Sequence, residues 1–114
     1  MKKIYRLRKR RDFNYTYKKG KSVANQYLVL VYRRSGLYIT RVGFSVSRKF
    51  GNSVKRNRIR RQLREIYRKR IPYVKEGFDL IFVVRKSARD VEFSKLEEAV
   101  DNLLKRAEIF KEMG

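Results

Sequence analysis

The sequence predicts one mixed α/β domain with elements in the order α-β-β-α-β-α, and three kinds of stretch carry that prediction. Residues 37–47, "LYITRVGFSVS", alternate with period two, as a half-buried strand does. Residues 78–86, "FDLIFVVRK", open with an almost unbroken apolar run, as expected of a strand buried on both faces. Residues 52–70, "NSVKRNRIRRQLREIYRKR", and 94–113, "SKLEEAVDNLLKRAEIFKEM", repeat apolar residues at the spacing of a packed helix. The chain has 114 residues. That is enough for a single core hiding ~65% of the unfolded surface. No linker, repeat or low-complexity stretch divides it, so residues 1–114 are read as one domain.

The first helix covers "RRDFNYTYKKG", 10–20. Asp12 lies in its first turn, Lys18 and Lys19 in its last, and Gly20 suits the C′ position. Asn14, Thr16 and two tyrosines give it poor intrinsic propensity, so tertiary packing must hold it. Phe13 and Tyr17 stand one above the other at i and i+4, while Tyr15 points elsewhere. Residues 22–34, "SVANQYLVLVYRR", read as a strand, with "SVA" a candidate short strand of its own. Ser35 and Gly36 are expected to turn the chain into a hairpin partner at 37–47. On that partner Thr40, Val42, Phe44 and Val46 share one face, and Arg41, Gly43, Ser45 and Ser47 the other. The second face, small and polar, is a place where another molecule's backbone could approach.

"RKFGN", 48–52, leads into the central helix, which Asn52 or Ser53 can cap. At ~100° per residue, Ile59, Leu63 and Ile66 centre one face, with Tyr67 at its border. Asn57, Arg61, Arg64 and Arg68 centre the opposite one. Pro72 ends this helix or follows its end. The last helix opens on a capping-box pattern, Ser94 with Glu97. Leu96, Val100, Leu103, Leu104, Ala107 and Phe110 form its core stripe, and Glu97, Glu98, Asp101 and Glu108 make its outer side mixed in charge.

Formal net charge is +21, and it is unevenly spread. Residues 1–70 hold 24 Lys/Arg against Asp12 and Glu65, a net of +22; residues 71–114 hold 8 against 9 Asp/Glu, a net of −1. Such concentration costs stability through self-repulsion and attracts polyanions, which marks a binding surface. The chain has no cysteine and no histidine. That excludes disulfides, thiolate metal sites, Cys or His nucleophile systems and imidazole acid–base work. Asp12 and Glu65 read as helix charges, and no Gly-rich phosphate loop or metal-ligand spacing occurs. No self-sufficient active site and no protein-held metal are expected. The start, "MKKIYRLRKRRDF", has no apolar segment behind its basic residues, so no secretory signal is expected. No apolar stretch approaches ~20 residues, and the expectation is a cytoplasmic protein without membrane contact.

An arginine face on a rigid helix neutralises phosphates and forks onto them in bidentate pairs. The helix N-terminus at Asn52 and Ser53 offers backbone N–H groups to a further phosphate. Asn57, uncharged amid arginines, has an amide able to read a base edge or a ribose 2′-OH, or is simply an exposed helix residue. Phe13 and Tyr17, with Tyr27 or Tyr32, are candidates to stack single-stranded bases, against the plainer reading that they fill the core.

"RVGFSVSRKFGNSVKRNRIRRQLREIYR", 41–68, strongly resembles the protein subunit of bacterial ribonuclease P. Arg56-Asn57-Arg58, with Arg61 and Arg64 behind, looks like that family's RNR signature; "RDF" at 11–13, "GKSVAN" at 20–25 and "GFDLIFVVRKSA" at 77–88 match in the right order. The resemblance implies a two-layer α/β sandwich of the ribosomal S5 domain 2-like type, with a left-handed β-α-β crossover against the usual hand. It implies that a large RNA is the catalyst and that the protein assists removal of the 5′ leader from precursor tRNA, with Mg²⁺ bound mainly by the RNA. Lys55, Arg56, Asn57, Arg58, Arg60, Arg61 and Arg64, with Arg68 on the same helix, are then the contacts to the catalytic RNA. Phe13, Tyr17, Arg48, Lys49, Arg85 and Lys86 line a cleft for the leader. Related proteins can carry a cleft aromatic near Val31, and here Tyr27 and Tyr32 are both left as candidates. The implied partners are ribonuclease P RNA and precursor tRNA, with no obligate protein partner. The rival readings are a ribosomal or other structural RNA-binding protein, an architectural DNA-binding protein and a protein-only nuclease. Missing acids and histidines disfavour the last.

Overall fold

The computed structural model of the chain describes residues 1–112. Its elements are α1 Arg10–Lys19, β1 Lys21–Ala24, β2 Leu28–Arg34, β3 Arg41–Ser45, α2 Ser53–Arg68, β4 Phe78–Val84 and α3 Phe93–Arg106. The four strands form one sheet in the order β1-β2-β4-β3. β1 runs antiparallel to β2 and β2 to β4, while β3 lies parallel to β4 and reaches it through α2.

β4 is internal because of its composition. Leu80 and Phe82 fill one side of the sheet and Ile81 the other, so an edge position would leave an apolar face uncovered. This overturns the predicted hairpin between 22–34 and 37–47, since β4 inserts between those two strands. Ser35 instead donates its N–H to the Gly77 carbonyl at 2.8 Å, and the chain continues to the far edge. The hairpin that does form joins the short "SVA" strand to β2. Asn25 Oδ1 closes its turn by accepting from the N–H groups of Tyr27 and Leu28, at 3.1 and 3.0 Å. The outer edge of β3 is blunted by the N-terminal segment: Arg6 bridges Val42 in parallel, and Leu7 N–H donates to the Val42 carbonyl at 2.9 Å.

α2 and α3 form the second layer, over the face that carries Leu28, Leu30, Val42, Leu80 and Phe82. Phe44 stacks on Phe82 at 6.0 Å, and Tyr67 of α2 meets both rings edge-on. The other face holds the smaller cluster of Leu7, Val31 and Ile81, covered by α1 and the N-terminal segment alone. Gly20 ends α1, but not in the left-handed conformation expected of a C′ glycine; its φ is −79°. It is needed for closeness, because a β-carbon there would lie 2.5 Å from the Thr16 carbonyl oxygen and 2.9 Å from that of Tyr32.

Two expectations for the last helix also fail. α3 begins one residue early, with Glu92 at its N-cap and no side-chain cap, so Ser94 and Glu97 form no capping box. Glu97 is turned instead to Arg70, at 3.0 Å. The helix stops at Arg106, where Glu108 at φ 58° redirects the chain. The tail then pairs with residues 73–75: Lys75 N–H donates to Ile109 and Lys111 N–H to Tyr73, both at 2.8 Å. Phe110 reaches the core from this extended tail, and Met113 of the predicted helix lies outside the described residues.

Candidate nucleic-acid interface

α2 presents both of its predicted sides. Asn52 caps it, its Oδ1 accepting from Lys55 N–H at 3.0 Å. Ile59, Leu63, Ile66 and Tyr67 are buried, and Lys55, Asn57, Arg58, Arg61 and Arg68 are exposed. Arg56, Arg60 and Arg64 are half-buried. Not all of these cations face outward unengaged. Arg56 donates to the Gly51 carbonyl at 2.7 Å and so holds the loop before its own helix. Arg60 donates to Asn57 Oδ1 at 2.8 Å, which orients the amide in the middle of the face. Arg68 pairs with Glu65 at 2.7 Å; that bond pulls the carboxyl below its ordinary pKa and raises the guanidinium. Arg58 and Arg61 make no side-chain hydrogen bond or ion pair among the described residues and lie open to solvent.

Arg60 and Arg64 are joined by a residue that the sequence pattern does not single out. The N-terminal segment, pinned to β3, brings Arg6 beside them, and the three line a cavity of about 200 Å³ floored by Val42, Phe44 and Phe13. Burial, with repulsion from Arg6 and Arg60 behind it, pushes the Arg64 pKa down. The Nε atoms of Arg6 and Arg64 are buried without a hydrogen-bond partner. A buried donor left unpaired costs about 1–3 kcal/mol, and an anion in the cavity would offset the repulsion among the three guanidinium groups. The sequence clue is only that Arg6 precedes an apolar Leu7; the bridge to β3 that positions it is tertiary.

The second surface lies where α1 straddles the sheet. Phe13 sits on Gly43 of β3, so the small-residue face there is closed by the chain's own ring and is not open to another molecule's backbone. Tyr17, one turn on, is 43% exposed. Beside α1 the half-buried side chains of Val29, Val83 and Ser45 floor an open part of the sheet. Because β3 and β4 are parallel, with Ser45 opposite Val83, the segments that follow them leave at the same end. Exposed Arg48 and Lys49, and exposed Arg85 and Lys86, therefore stand at one mouth of this cleft. Arg85 is fixed by donating to the Asn25 carbonyl at 3.0 Å. Tyr27 and Tyr32 both pack against the main core, and β2 gives the cleft side Val29 and Val31 instead.

One buried carboxylate holds α1 in place. Asp79 on β4 is fully buried and accepts from Arg33 at 2.9 Å and from Arg41 twice at 2.8 Å. Arg33 reaches on to Thr16 Oγ1 at 3.3 Å, and Arg41 to Asp12 at 3.4 Å, both on α1. The bond to Asp79 raises the Arg41 pKa. The signal in the sequence is a lone Asp inside an apolar run; the register that sets it opposite both Arg33 and Arg41 is not visible there.

No group of three or more His, Cys, Asp or Glu side chains able to hold a metal ion converges among the described residues. No helix among them is long and apolar enough to cross a membrane.

The family described as Ribonuclease P matches residues 1–108. The ribonuclease P protein component of Alkaliphilus oremlandii is 46% identical over 106 residues, 93% of each chain. That of Thermotoga maritima is 42% identical over 107 residues, 90% of this chain and 92% of its own. Among solved structures, a Staphylococcus aureus RNase P protein mutant with defective mRNA degradation activity superposes with a TM-score of 0.89 at 36% identity, covering 95% of this chain and 92% of that one. The Thermotoga maritima RNase P protein gives 0.82 at 41% identity, covering 89% and 96%.

Proposed function

The chain belongs to the ribonuclease P protein family, and from that premise we propose how its two surfaces serve the holoenzyme. As a protein component of ribonuclease P it is a subunit of an endoribonuclease ribonucleoprotein that matures the 5′ ends of tRNAs, and its partner is ribonuclease P RNA. α2 is the docking ridge for that RNA: Arg58 and Arg61 take phosphates at the surface, Lys55 and Arg68 flank them, and Asn57, steadied by Arg60, meets a base edge or ribose. The observation that carries this reading is the cavity where Arg6, Arg60 and Arg64 converge, three cations whose mutual repulsion an entering anion would offset. A phosphodiester of the RNA supplies that anion.

The cleft beside α1 takes the single-stranded leader of precursor tRNA. Phe13 and Tyr17 offer rings for unstacked bases, and Arg48, Lys49, Arg85 and Lys86 receive the phosphates at the mouth. The leader is present in precursor and absent from product, so this contact favours substrate over mature tRNA. Among the described residues the donor set does not fit a divalent cation, since the exposed face is cationic and the carboxylates are dispersed or paired with arginine. Mg²⁺ and the bond-breaking step are assigned to the RNA subunit, and the setting to the cytoplasm, where precursor tRNA meets the enzyme. The test is reconstitution: the protein is added to ribonuclease P RNA and precursor tRNA at low Mg²⁺. Stimulated 5′ maturation is expected; cleavage by the protein without RNA, or no effect on the RNA, would overturn the reading.

A further inference from the structure

On the far side of α1 from the cleft, a second group of aromatics and cations lies outside the reading above. Tyr15 points away from Phe13 and Tyr17 on the helix. One face of its ring rests 4.5 Å from the Arg33 guanidinium, and the residue is 49% exposed. Arg33 is itself fixed by Asp79 and Thr16, so the ring is mounted on a rigid base with its other face outward. Nearby, Arg34 lies over Phe78 at 5.2 Å, and half-buried Tyr32 stands between. With Lys19 and Lys21 these side chains line a cavity of about 510 Å³. Lys19, Lys21 and Arg34 form no ion pair among the described residues. The adjoining loop, tied beside Phe78 by the bond from Ser35 to Gly77, carries Tyr38 at 93% exposure.

Folding explains part of this arrangement: Tyr15 shields Arg33, and Phe78 belongs to the core. It does not explain three unpaired cations around the rings, nor a tyrosine that nothing covers. Like charges gathered at exposed aromatics weaken the fold unless a polyanion with stackable faces neutralises them. Duplex bases have their faces occupied already, so the fitting partner is single-stranded RNA. Lys18 and Lys19, on the last turn of α1, join this patch to Tyr17 around the helix end. We propose that the patch is a second single-stranded RNA subsite, which takes the part of the leader upstream of the cleft by stacking a base on Tyr15 and holding phosphates on Lys19, Lys21 and Arg34. The inference rests on the leader reading of the cleft.

The experiment titrates holoenzyme with two precursor tRNAs, one with a leader ending inside the cleft and one extended upstream by an unstructured stretch. Wild-type holoenzyme should bind the longer leader more tightly. Tyr15→Ala should weaken binding of the long leader about fivefold or more, one stacked base, and leave the short one unchanged. A surface variant with Lys19→Gln, Lys21→Gln and Arg34→Gln should reproduce that pattern without disturbing the Arg33–Tyr15 pair. Unchanged long-leader affinity in both variants, or equal weakening on both precursors, would overturn the proposal. A Phe13→Ala holoenzyme that binds the short-leader precursor as tightly as wild type would mark failure of the cleft reading itself, whereas failure of the present inference alone leaves the Phe13 effect in place.

Discussion

The ring of Phe13 lies over the backbone of Gly43 so closely that a β-carbon at Gly43 would fall 2.3 Å from its Cζ atom. No side chain fits there unless the ring moves, and the ring is the part of α1 that borders the proposed leader cleft. Gly43→Ala should therefore destabilise the fold by about 1–3 kcal/mol, the usual range for overpacking, and should mimic Phe13→Ala in function. Both variants should assemble normally with ribonuclease P RNA and show a reduced preference for leader-bearing over mature tRNA. Competitive binding of the two tRNAs to each holoenzyme measures this, and equal weakening for both tRNAs would contradict it.

Asp79 of β4 anchors the two arginines, Arg33 of β2 and Arg41 of β3, that reach α1. Asp79→Asn removes the charge that two arginines share at the sheet face and should cost about 3 kcal/mol, the scale for breaking a buried ion pair. Urea unfolding gives the loss. Because Arg33 and Arg41 are the links to Thr16 and Asp12, the folded variant should also bind leader poorly while α2 still docks RNA. A variant as stable as wild type would show that the network is ornamental.

Burial holds the Tyr67 hydroxyl well above its ordinary pKa of about 10. The unfolded chain releases that proton first, so the contribution is intact below pH 10 and is lost as pH rises toward the folded value. Tyr67→Phe should therefore unfold at higher alkaline pH than wild type, with the two curves running parallel near neutrality. All other groups are shared by the two proteins, so the difference between the curves is the readout. Identical alkaline midpoints would contradict the assignment.

Where local chemistry decides the outcome, the sequence is legible. Ile59, Leu63 and Ile66 against Asn57, Arg61 and Arg64 define both faces of α2, and Asn52 its cap. The apolar run of β4 announces a strand buried on both faces. Which neighbours that strand takes is a tertiary matter, and so a hairpin between β2 and β3 is expected from the sequence and absent from the fold. Helical spacing likewise puts Phe13 on the cleft side of α1, but does not set the ring on Gly43. Asp79, hidden in an apolar run, and Arg6, in a segment without periodicity, acquire their roles from strand register and from a single bridge to Val42. The candidate Tyr32 goes to the core because β2 presents its even positions to the α2 and α3 layer, and Tyr27 packs against the same cluster from the turn before β2.

The most direct measurement of the central claim is the salt dependence of binding between ribonuclease P RNA and the protein, for wild type and for Arg61→Ala/Arg64→Ala. If the α2 ridge docks phosphates, the double variant should bind more weakly, and its log–log salt slope should be shallower by roughly 0.7 to 0.9 for each phosphate no longer neutralised. Superimposed binding curves with the same slope would show that the RNA docks elsewhere on the protein.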